Sequence, residues 1–567
     1  MYAGLDVRRL SSVGAKAERS TRIKGDRTLS KEQQTFDCIV VGAGPIGMTV
    51  AALLSAQDVS VLVIERNAGT SNSPKAISVD DESLRTYAAA GLVDEILPII
   101  VPGTGTRYYG ADGAPVFHAR AEVPFRLGYP FKNPFAQPDL ERVLLEGLQA
   151  RANVTIQFGA ELTSVDSRED GVRATYRVAS EEFEVEARFL IGADGGRSTV
   201  RSALGISMVG RSHPEPWLVI DVLDDPHQNR YGMHHGDPIR PHVIVPGLDG
   251  RCRYEFLIYD GEGAAGEEPS FELIRELVAP YRDISPEQVE RAVIYKFHGL
   301  IATEWSKGSS FLIGDAAHMM PPFAGQGLNS GIRDAANLSW KIAAVLRGES
   351  PKEILDTYQA ERFQHSWQTI KLSEKLGRVV MTTSPRLARF RDRAVRKALE
   401  TESGRDFFEY MKYRPSAKFT DGLVAQGEHD GIGRQLGQPR AFNASTRTIE
   451  LLDTFLGDGW ALFRVDMAQD AWPADLVELS TAAGIPSFDV PLAEIFPRSE
   501  HGSTLIDVDT QLISEFAPFA GHFVLVRPDH VVAAVWRASE HASVLDHLRT
   551  WWTATRDAAV FADSDAH

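Results

Sequence analysis

Three short apolar runs, each ending at a glycine-rich turn, mark the first two-thirds of the chain. They cover residues 38–41, 189–191 and 311–313, and the spacing of apolar residues after each turn is that of a helix. Fully buried strands of a parallel sheet have such uninterrupted apolar character, and helices connect parallel strands. The pattern predicts an α/β fold in which three strand-to-helix turns converge.

The first turn has the spacing of a dinucleotide-binding loop. Gly42, Gly44 and Gly47 form GxGxxG before a predicted helix over 46–56, and a second apolar strand ends at Glu65, 18 residues after Gly47. The glycines permit a tight turn, close approach of a pyrophosphate and packing of the helix on the strand, while the acid is placed to bind a ribose diol. Because that acid would repel a 2′-phosphate, the loop indicates NAD or FAD, without separating the two.

The second turn places Asp194 at a strand end, before a predicted short helix over 198–204. Arg197 and Arg201 lie four residues apart on one face of that helix. One interpretation is that the carboxylate reaches a ribose. The other is a simple helix cap, with Asp194 or Ser198 as the acceptor.

The third turn begins at Gly314-Asp315 and contains two prolines and several glycines before a long helix that Gly348 closes. Asp315 follows its strand directly, as Glu65 does. The start of the helix near Gly327 is a positive pole with unpaired backbone N–H groups. A large planar cofactor with an anionic reduced ring explains this arrangement, and a nicotinamide does not.

The rest of the chain divides by composition. Residues 207–295 alternate apolar and polar positions, which predicts a twisted sheet with one covered face. Residues 401–430 are polar and turn-rich, as in a linker, and 431–560 alternate strands and helices, as in a small α/β domain. Residues 1–35 are polar and basic, without the apolar segment of a secretion signal, and are predicted to be a flexible leader.

Composition narrows the class of protein. A chain of 567 residues with 43% hydrophobic and 24% charged residues is expected to be a soluble enzyme of two or three domains. Its formal charge of −17 argues against nucleic acid or an anionic membrane as a partner. Only Cys38 and Cys252 occur, with no metal-ligand spacing, so no metal site is expected and the cysteine usage suits the cytoplasm.

The three turns together resemble those of a known family. GxGxxG at Gly42, "DG" at Asp194 and "GD" at Asp315 followed by Pro321 and Gly325-x-Gly327-x-Asn329 occur in the order found in single-component FAD-dependent aromatic hydroxylases, class A flavoprotein monooxygenases of the p-hydroxybenzoate hydroxylase type. The resemblance covers about residues 36–400. Stretches such as "KAISVDDESLRTYAAAGLVDEILP" and "NPFAQPDLERVLLEGL" look like the 3-(3-hydroxyphenyl)propionate hydroxylases.

This resemblance implies a Rossmann-like FAD-binding domain built from 36–206 and 296–400, with an inserted β-sheet substrate domain at 207–295 and a C-terminal thioredoxin-like domain at 431–560. Lysine replaces the usual arginine at position 75 and cannot make the same forked hydrogen bonds. The residues carried over as FAD-binding are Gly42, Gly44, Pro45, Gly47, Glu65, Arg66, Lys75, Gln137, Asp194, Gly314, Asp315, Pro321, Gly325, Gly327, Leu328 and Asn329.

The resemblance also implies the chemistry. NADH or NADPH docks transiently and reduces FAD, O2 adds at C4a, and the resulting hydroperoxide transfers one oxygen atom to a phenolic ring. Tyr295, His235 and His298 are the candidates for activating the phenol, although each is also readily explained as a structural residue. Candidate substrate-binding residues are Trp217, Asp221, Arg240, Tyr254, Pro322 and Phe323, with His234 as a further pocket candidate.

Three alternatives stay open. A tailoring oxygenase of polycyclic aromatic natural products would share fold and cofactor, a flavin-dependent reductase would share the first motif but consume no oxygen, and a flavin-binding scaffold would show no turnover. The C-terminal domain lacks cysteine, so thiol redox chemistry is excluded there, and scaffolding or contact within a homodimer is the expected role.

Overall fold

The structure is a computed structural model that describes residues 34–552, apart from 72–75, 104, 121–122, 416, 468–471 and 494–500. Two predictions therefore fall on residues that it does not describe. These are Lys75 and nearly all of the basic leader at 1–35.

The longer strands fall into three sheets, described below in chain order. In chain order the strands are β1 (Gln34–Val41), β2 (Val61–Glu65), β3 (Ser78–Val79), β4 (Thr106–Tyr109), β5 (Pro115–Ala119), β6 (Asn133–Pro134), β7 (Val154–Phe158), β8 (Ala160–Ser167), β9 (Val172–Val178), β10 (Glu181–Gly192), β11 (Met208–Val222), β12 (Gly232–His235), β13 (His242–Pro246), β14 (Cys252–Leu257), β15 (Val289–Ala302), β16 (Ser306–Lys307), β17 (Ser310–Leu312), β18 (His318–Met319), β19 (Arg440–Asn443), β20 (Thr448–Leu451), β21 (Ala461–Val465), β22 (Ser487–Val490), β23 (Ser503–Asp507), β24 (His522–Val526) and β25 (Val532–Trp536).

The helices are concentrated after the turns and in the second half of the chain. They are α1 (Pro45–Ala56), α2 (Asp81–Ala89), α3 (Val93–Ile96), α4 (Gln137–Gln149), α5 (Thr199–Ala203), α6 (Phe271–Val278), α7 (Gly327–Leu346), α8 (Thr357–Val380), α9 (Pro385–Ala398), α10 (Glu402–Glu409), α11 (Leu452–Leu456), α12 (Ala474–Ala482), α13 (Gln511–Phe516) and α14 (His541–Trp552).

The first sheet orders its strands β16, β17, β10, β1, β2 and β7, with β8 and β9 extending it beside β10. The strands from β17 to β7 run parallel. Their apolar runs are buried on both faces, as expected of central parallel strands. Because parallel strands end at the same edge, Val41, Glu65, Gly192 and Leu312 bring their following turns together.

The second sheet orders its strands β18, β15, β11, β14, β13, β12, β4 and β5, and β15 continues past residue 295. Strands β4 and β5 come from well before 207, so this sheet recruits chain from outside the expected substrate segment. Side chains alternate across it. Leu218 and Ile220 pack in the core cluster that contains α6, whereas Trp217, Val219 and Asp221 lie on the opposite face, here called the inner face.

The C-terminal segment forms a third sheet in the order β20, β19, β23, β22, β21, β24 and β25. Strands β21, β22 and β23 are parallel, and β24 and β25 are antiparallel. The segment is tied to the first part of the chain by buried ion pairs. Arg527 after β24 bonds Glu361 of α8 at 2.7 and 2.8 Å, and the Arg85 guanidinium of α2 bonds Asp453 at 2.5 and 2.6 Å.

Within the described part of the chain, no helix has the length and apolar character needed to cross a lipid bilayer.

Candidate active site

Three turns meet where β1, β10 and β17 end. The amide of Ala193 donates to Val41 O at 2.8 Å, and the amide of Ile313 donates to Gly192 O at 3.0 Å. The Arg201 side chain donates to the carbonyl oxygens of Ala316 and Gly196 at 2.9 and 2.8 Å, so it ties the second turn to the third. The convergence expected from the strand pattern is therefore present.

Each glycine of the first turn is required for a different physical reason. Gly42 has φ +104°, and a Cβ there would lie 2.6 Å from Ala193 O. A Cβ on Gly47 would lie 1.9 Å from Gly42 O, so α1 packs on the turn only because the side chain is missing. A Cβ on Gly44 would meet nothing within 4 Å, and no side chain caps the N-terminus of α1. Open space thus lies beside unpaired N–H groups, as a pyrophosphate requires.

Three carboxylates follow the strand ends. Glu65 accepts a hydrogen bond from the amide of Ala43 at 2.9 Å, which fixes it against the glycine turn. Oδ2 of Asp194 accepts from two backbone amides of α5 at 2.6 and 3.1 Å, as the capping interpretation predicted, while its Oδ1 is buried without a partner. The Asp315 carboxylate makes no hydrogen bond or ion pair with the described residues and is half-buried, so it can accept from a ligand hydroxyl.

Residues 321–326, here called the flavin loop after the cofactor that the resemblance implies, are held in part by the Asn329 side chain at the start of α7. Asn329 Nδ2 donates to Gly325 O at 2.9 Å and to Ser78 O at 3.3 Å. Its Oδ1 accepts from the amide of Asp80 at 2.9 Å and from the Ser83 hydroxyl at 2.8 Å. The first backbone N–H groups of α7 have no acceptor within the helix and no side-chain cap, so they form a positive pole beside the loop.

A buried cluster of charged side chains around Asp334 fixes the backbone of the third turn. Asp334 accepts from Gly314 N at 3.1 Å, contacts His318 Nε2 at 2.7 Å and accepts from Arg362 Nε at 3.0 Å. Burial alone would raise the pKa of Asp334, but the neighbouring His318 and Arg362 lower it, so the carboxylate stays ionised. The cluster fixes the backbone that carries Asp315.

Gln137 lies at the start of α4 and is buried. Its Oε1 accepts from the amide of Ala76 at 2.9 Å, and its Nε2 donates to Glu141 at 2.7 Å. Glu141 in turn accepts from the amide of Ser71 at 2.9 Å. The pair therefore positions both ends of the segment that contains Lys75.

The inner face of the second sheet closes over the flavin loop with aromatic rings. The Phe323 ring lies 5.7 Å from that of Trp217 and 5.8 Å from that of Phe297, edge-on to both. Trp217 is buried and its indole N–H has no partner among the described residues. Tyr295 pairs with Trp217 across β11 and β15, and therefore lies on the same face. An apolar, water-excluding wall thus stands beside the loop.

Farther along the inner face, polar groups replace the aromatic ones. Arg253 is buried and bonds Asp221 at 2.7 and 3.0 Å. Glu255 lies beside Arg253 on the same strand face, at 3.8 Å. Burial raises the pKa of Glu255, although Arg253 partly offsets this.

Comparison with known proteins decides the family. Residues 35–373 match the FAD binding domain family, and residues 433–551 match the HcaD C-terminal domain family. The 3-(3-hydroxy-phenyl)propionate/3-hydroxycinnamic acid hydroxylase of Mycolicibacterium gilvum (strain PYR-GCK) is 34% identical over 91% of this chain and 92% of that protein. The protein of the same name from Burkholderia cenocepacia (strain HI2424) is 34% identical over 92% of this chain and 97% of its own. The chain belongs to the FAD-dependent aromatic hydroxylases.

Solved structures share the fold of this hydroxylase. The flavin-dependent monooxygenase PieE, in complex with FAD and substrate, superposes with a TM-score of 0.75 at 20% identity, over 91% of this chain and 98% of that one. Aklavinone-11 hydroxylase, in a ternary complex with FAD and aklavinone, gives a TM-score of 0.73 at 23% identity over the same shares of each chain.

The residues of the hydroxylase fit FAD at the converging turns. There is open space at Gly44 for a pyrophosphate. Oδ1 of Asp194 and the carboxylate of Asp315 have no partner among the described residues, so both can bind a ligand. Gly314 and Pro321 hold the third turn in shape, because Gly314 has φ +57° and Pro321 O accepts from Ser373 at 2.5 Å. The assignments of individual residues to FAD, including Pro45, Arg66 and Leu328, stay predictions.

The structure separates the predicted phenol-activating and substrate residues. Tyr295, Trp217, Asp221 and Phe323 lie on or against the inner face. Neighbouring Pro322 belongs to the same loop but is exposed.

Three other candidates lie elsewhere. His235 stacks between Tyr109 and His242 on the α6 side, where burial lowers its pKa to about 3. Tyr254 is buried on that same side and donates to Asp225 at 2.8 Å. The Arg240 guanidinium donates two hydrogen bonds to the Glu262 carboxylate, at 2.6 and 2.7 Å.

His298 also fails to join Tyr295, because it is three positions along β15 and therefore on the other face. Its Nδ1 lies 2.8 Å from the Ser212 hydroxyl. The structure thus brings one of the three phenol-activating candidates to the inner face.

Sequence reasoning missed supporting residues around the turns. Arg362 binds Asp334, and Glu141 accepts from the amide of Ser71, although the sequence singled out neither side chain. The signal for Glu141 was present, because it lies four residues after Gln137 on one helical face. Arg362 had no local signal, since its partner lies 28 residues away on another helix.

Proposed function

We propose that this hydroxylase uses FAD, with NADH or NADPH as reductant, to insert one atom of O2 into a phenolic ring of the 3-(3-hydroxyphenyl)propionate type. The balanced reaction converts ArH, O2, NAD(P)H and H⁺ into ArOH, NAD(P)⁺ and water. The observation that carries the proposal is the identity of 34% with hydroxylases of that name over nine-tenths of the chain.

Bound FAD supplies the oxygen activation, and the protein supplies position and environment. The amides at the start of α7 would stabilise negative charge on a bound flavin ring, because they form the positive end of a helix of 20 residues. Phe323, Trp217 and Phe297 exclude water from the space above the loop. Such a dry environment would keep water away from a bound cofactor while the aromatic substrate binds.

Tyr295 is the proposed phenol-orienting residue. The Arg291 guanidinium donates to the Tyr295 hydroxyl, so the oxygen already accepts one hydrogen bond and its own proton is directed elsewhere. A phenol oxygen of the substrate is the acceptor we propose. Removing the hydroxyl should therefore disturb ring orientation and leave FAD binding intact.

The parts of the chain outside the flavin site have supporting roles in this proposal. The second sheet serves as a substrate domain, and the region 431–560 serves as a thioredoxin-like domain without cysteine. Three parallel strands followed by two antiparallel ones support that description. Because the region has no cysteine thiol for exchange, we assign it a structural role, including contact within a homodimer.

A panel of meta-substituted phenols and polycyclic phenols tests the function. The expected result is NAD(P)H oxidation that a phenol stimulates, with oxygen uptake and a product heavier by one oxygen atom. Stimulated NAD(P)H oxidation without oxygen uptake would identify a reductase instead. A product formed only from polycyclic phenols would identify a tailoring oxygenase, and the complete absence of stimulation would reject the proposal.

A further inference from the structure

A cluster of aromatic and basic side chains lies at the β4–β12 end of the inner face. Tyr108 and His234 are paired across these strands, with ring centroids 4.9 Å apart. Tyr413 is hydrogen-bonded to Tyr108. Lys132 and Arg414 lie close to these rings and to each other, and we call the five residues the basic pocket.

The two cations of the pocket have no anionic partner. Lys132 Nζ and the Arg414 guanidinium make no hydrogen bond or ion pair with the described residues. The contact that the structure gives Arg414 is the Phe131 ring, 4.3 Å from the guanidinium carbon. Lys132 is enclosed by protein yet, like Arg414, it keeps some accessible surface, so both cations can reach a ligand.

The acids nearest to Arg414 are Glu82 and Asp81, and neither bonds it. Glu82, at the start of α2, forms an ion pair with Arg333. Burial, followed by repulsion from Asp80 and Glu82, raises the pKa of Asp81 to about 7. Burial, followed by the charge of Arg414, lowers the pKa of Lys132 to about 7, and burial also lowers that of His234. Below about pH 7, Lys132 is therefore protonated while Asp81 is mostly neutral, so the pocket has positive charge that the described residues do not neutralise.

The basic pocket adjoins the flavin loop. Lys132 directly precedes β6, which pairs with β3 through Asn133 and Val79. The adjacent β3 residue is Ser78, whose carbonyl oxygen accepts from the loop-holding Asn329. The side chains of Tyr108 and His234 are on the inner face that also carries Trp217 and Tyr295. A ligand between the loop and the β12–β4 end of that face can thus present an oxyanion to Lys132 and Arg414.

We propose that Lys132 and Arg414 together bind an oxyanion of the aromatic substrate, with the hydrogen-bonded pair Tyr108 and Tyr413 supplying one further donor. The proposal rests on the proposed function for the presence of a substrate above the flavin. Unpaired cations inside a protein are unfavourable unless a ligand anion compensates them. A carboxylate on a side chain and an ionised phenol are the two sources of that oxyanion, and they are separable by experiment.

The test is a set of binding titrations followed by the flavin absorbance of the holoenzyme, at about pH 6 so that Lys132 is protonated. The ligands are 3-(3-hydroxyphenyl)propionate, 3-phenylpropionate without the hydroxyl, and 3-propylphenol without the carboxylate. Lys132→Met and Arg414→Met are compared with wild type. Lys296→Met, an exposed lysine on β15, is the matched control.

Loss of one charged hydrogen bond should raise the dissociation constant about 10-fold or more in each pocket variant. If the oxyanion is a carboxylate, both propionates weaken and 3-propylphenol does not. If it is a phenolate, both phenols weaken and 3-phenylpropionate does not. Lys132→Arg should restore much of the affinity, because it restores the charge. FAD content and thermal melting confirm that each variant is folded.

Dissociation constants within twofold of wild type for all three ligands would overturn the proposal. So would a wild-type protein that binds neither propionate nor phenol. Failure of the proposed function looks different: ligands still bind and depend on Lys132, but none stimulates NAD(P)H oxidation.

Discussion

Arg527→Met is expected to be strongly destabilising, because it removes one cation from a sealed charge cluster. Arg527 and Glu361 have no exposed side-chain surface and share two hydrogen bonds of 2.7 and 2.8 Å. Arg527 also bonds Asp529 at 2.6 and 2.9 Å, while Lys341 bonds Glu361 at 2.7 Å. The variant would leave two buried carboxylates with a single cation.

The expected cost follows from that imbalance. Breaking a buried ion pair from one side costs about 3–5 kcal/mol, since the remaining charge stays desolvated. Urea unfolding followed by tryptophan fluorescence measures the difference in free energy of unfolding. Trp340 is a suitable probe, because its ring lies 5.4 Å from the Arg527 guanidinium carbon.

The control is Arg393→Met, on the exposed surface of α9, which should change stability by less than about 0.5 kcal/mol. The double variant Arg527→Met, Glu361→Gln should be destabilised by less than the sum of its single variants, since the two side chains share one interaction. A cost below about 1 kcal/mol for Arg527→Met, or strict additivity, would refute the claim that this cluster joins the C-terminal sheet to α8.

Further predictions concern the two sites. Gly47→Ala should disrupt folding and FAD binding, because its Cβ would lie 1.9 Å from Gly42 O. Gly44→Ala should fold normally but bind FAD less tightly, since its Cβ would meet no protein atom within 4 Å. Thermal melting and the ratio of flavin to protein measure both effects. Tyr295→Phe should keep its FAD but convert a smaller fraction of NAD(P)H into hydroxylated product, and unchanged coupling would reject the role. Because the folded pKa of Lys132 is about 7 and its ordinary value is 10.5, the unfolded chain binds more protons in this window. Wild type should therefore gain stability relative to Lys132→Met as pH rises from 7 to 10.5, and parallel urea midpoints across that range would contradict this.

The converging turns were predictable because their causes are local. A buried strand, a glycine with positive φ such as Gly42, and a helix start without a cap all leave marks within a few neighbouring residues. Capping by Asp194 or Ser198 was one of the two interpretations of the second turn for the same reason, and both side chains accept from amides of α5. Local marks specify a turn, and parallel strand order then brings the turns to one edge.

The face of a strand was harder to predict. Alternation says that His234 and His235 lie on opposite faces, but only the packing of α6 determines which face is covered. Pairing of β4 with β12 joins residues more than a hundred positions apart and brings Tyr108 beside His234. Long-range ion pairs such as Arg85 with Asp453, 368 residues apart, leave no spacing in the chain to detect.

The central proposal for this hydroxylase is that a flavin bound at the three turns transfers one oxygen atom from O2 to an aromatic ring. Turnover of the holoenzyme with NAD(P)H, a meta-substituted phenol and ¹⁸O2, followed by mass spectrometry of the product, measures this directly. The account predicts a ring-hydroxylated product that carries a single labelled oxygen. A product labelled only from H2¹⁸O, or oxidation of NAD(P)H that never yields a hydroxylated ring with any phenol, would contradict it.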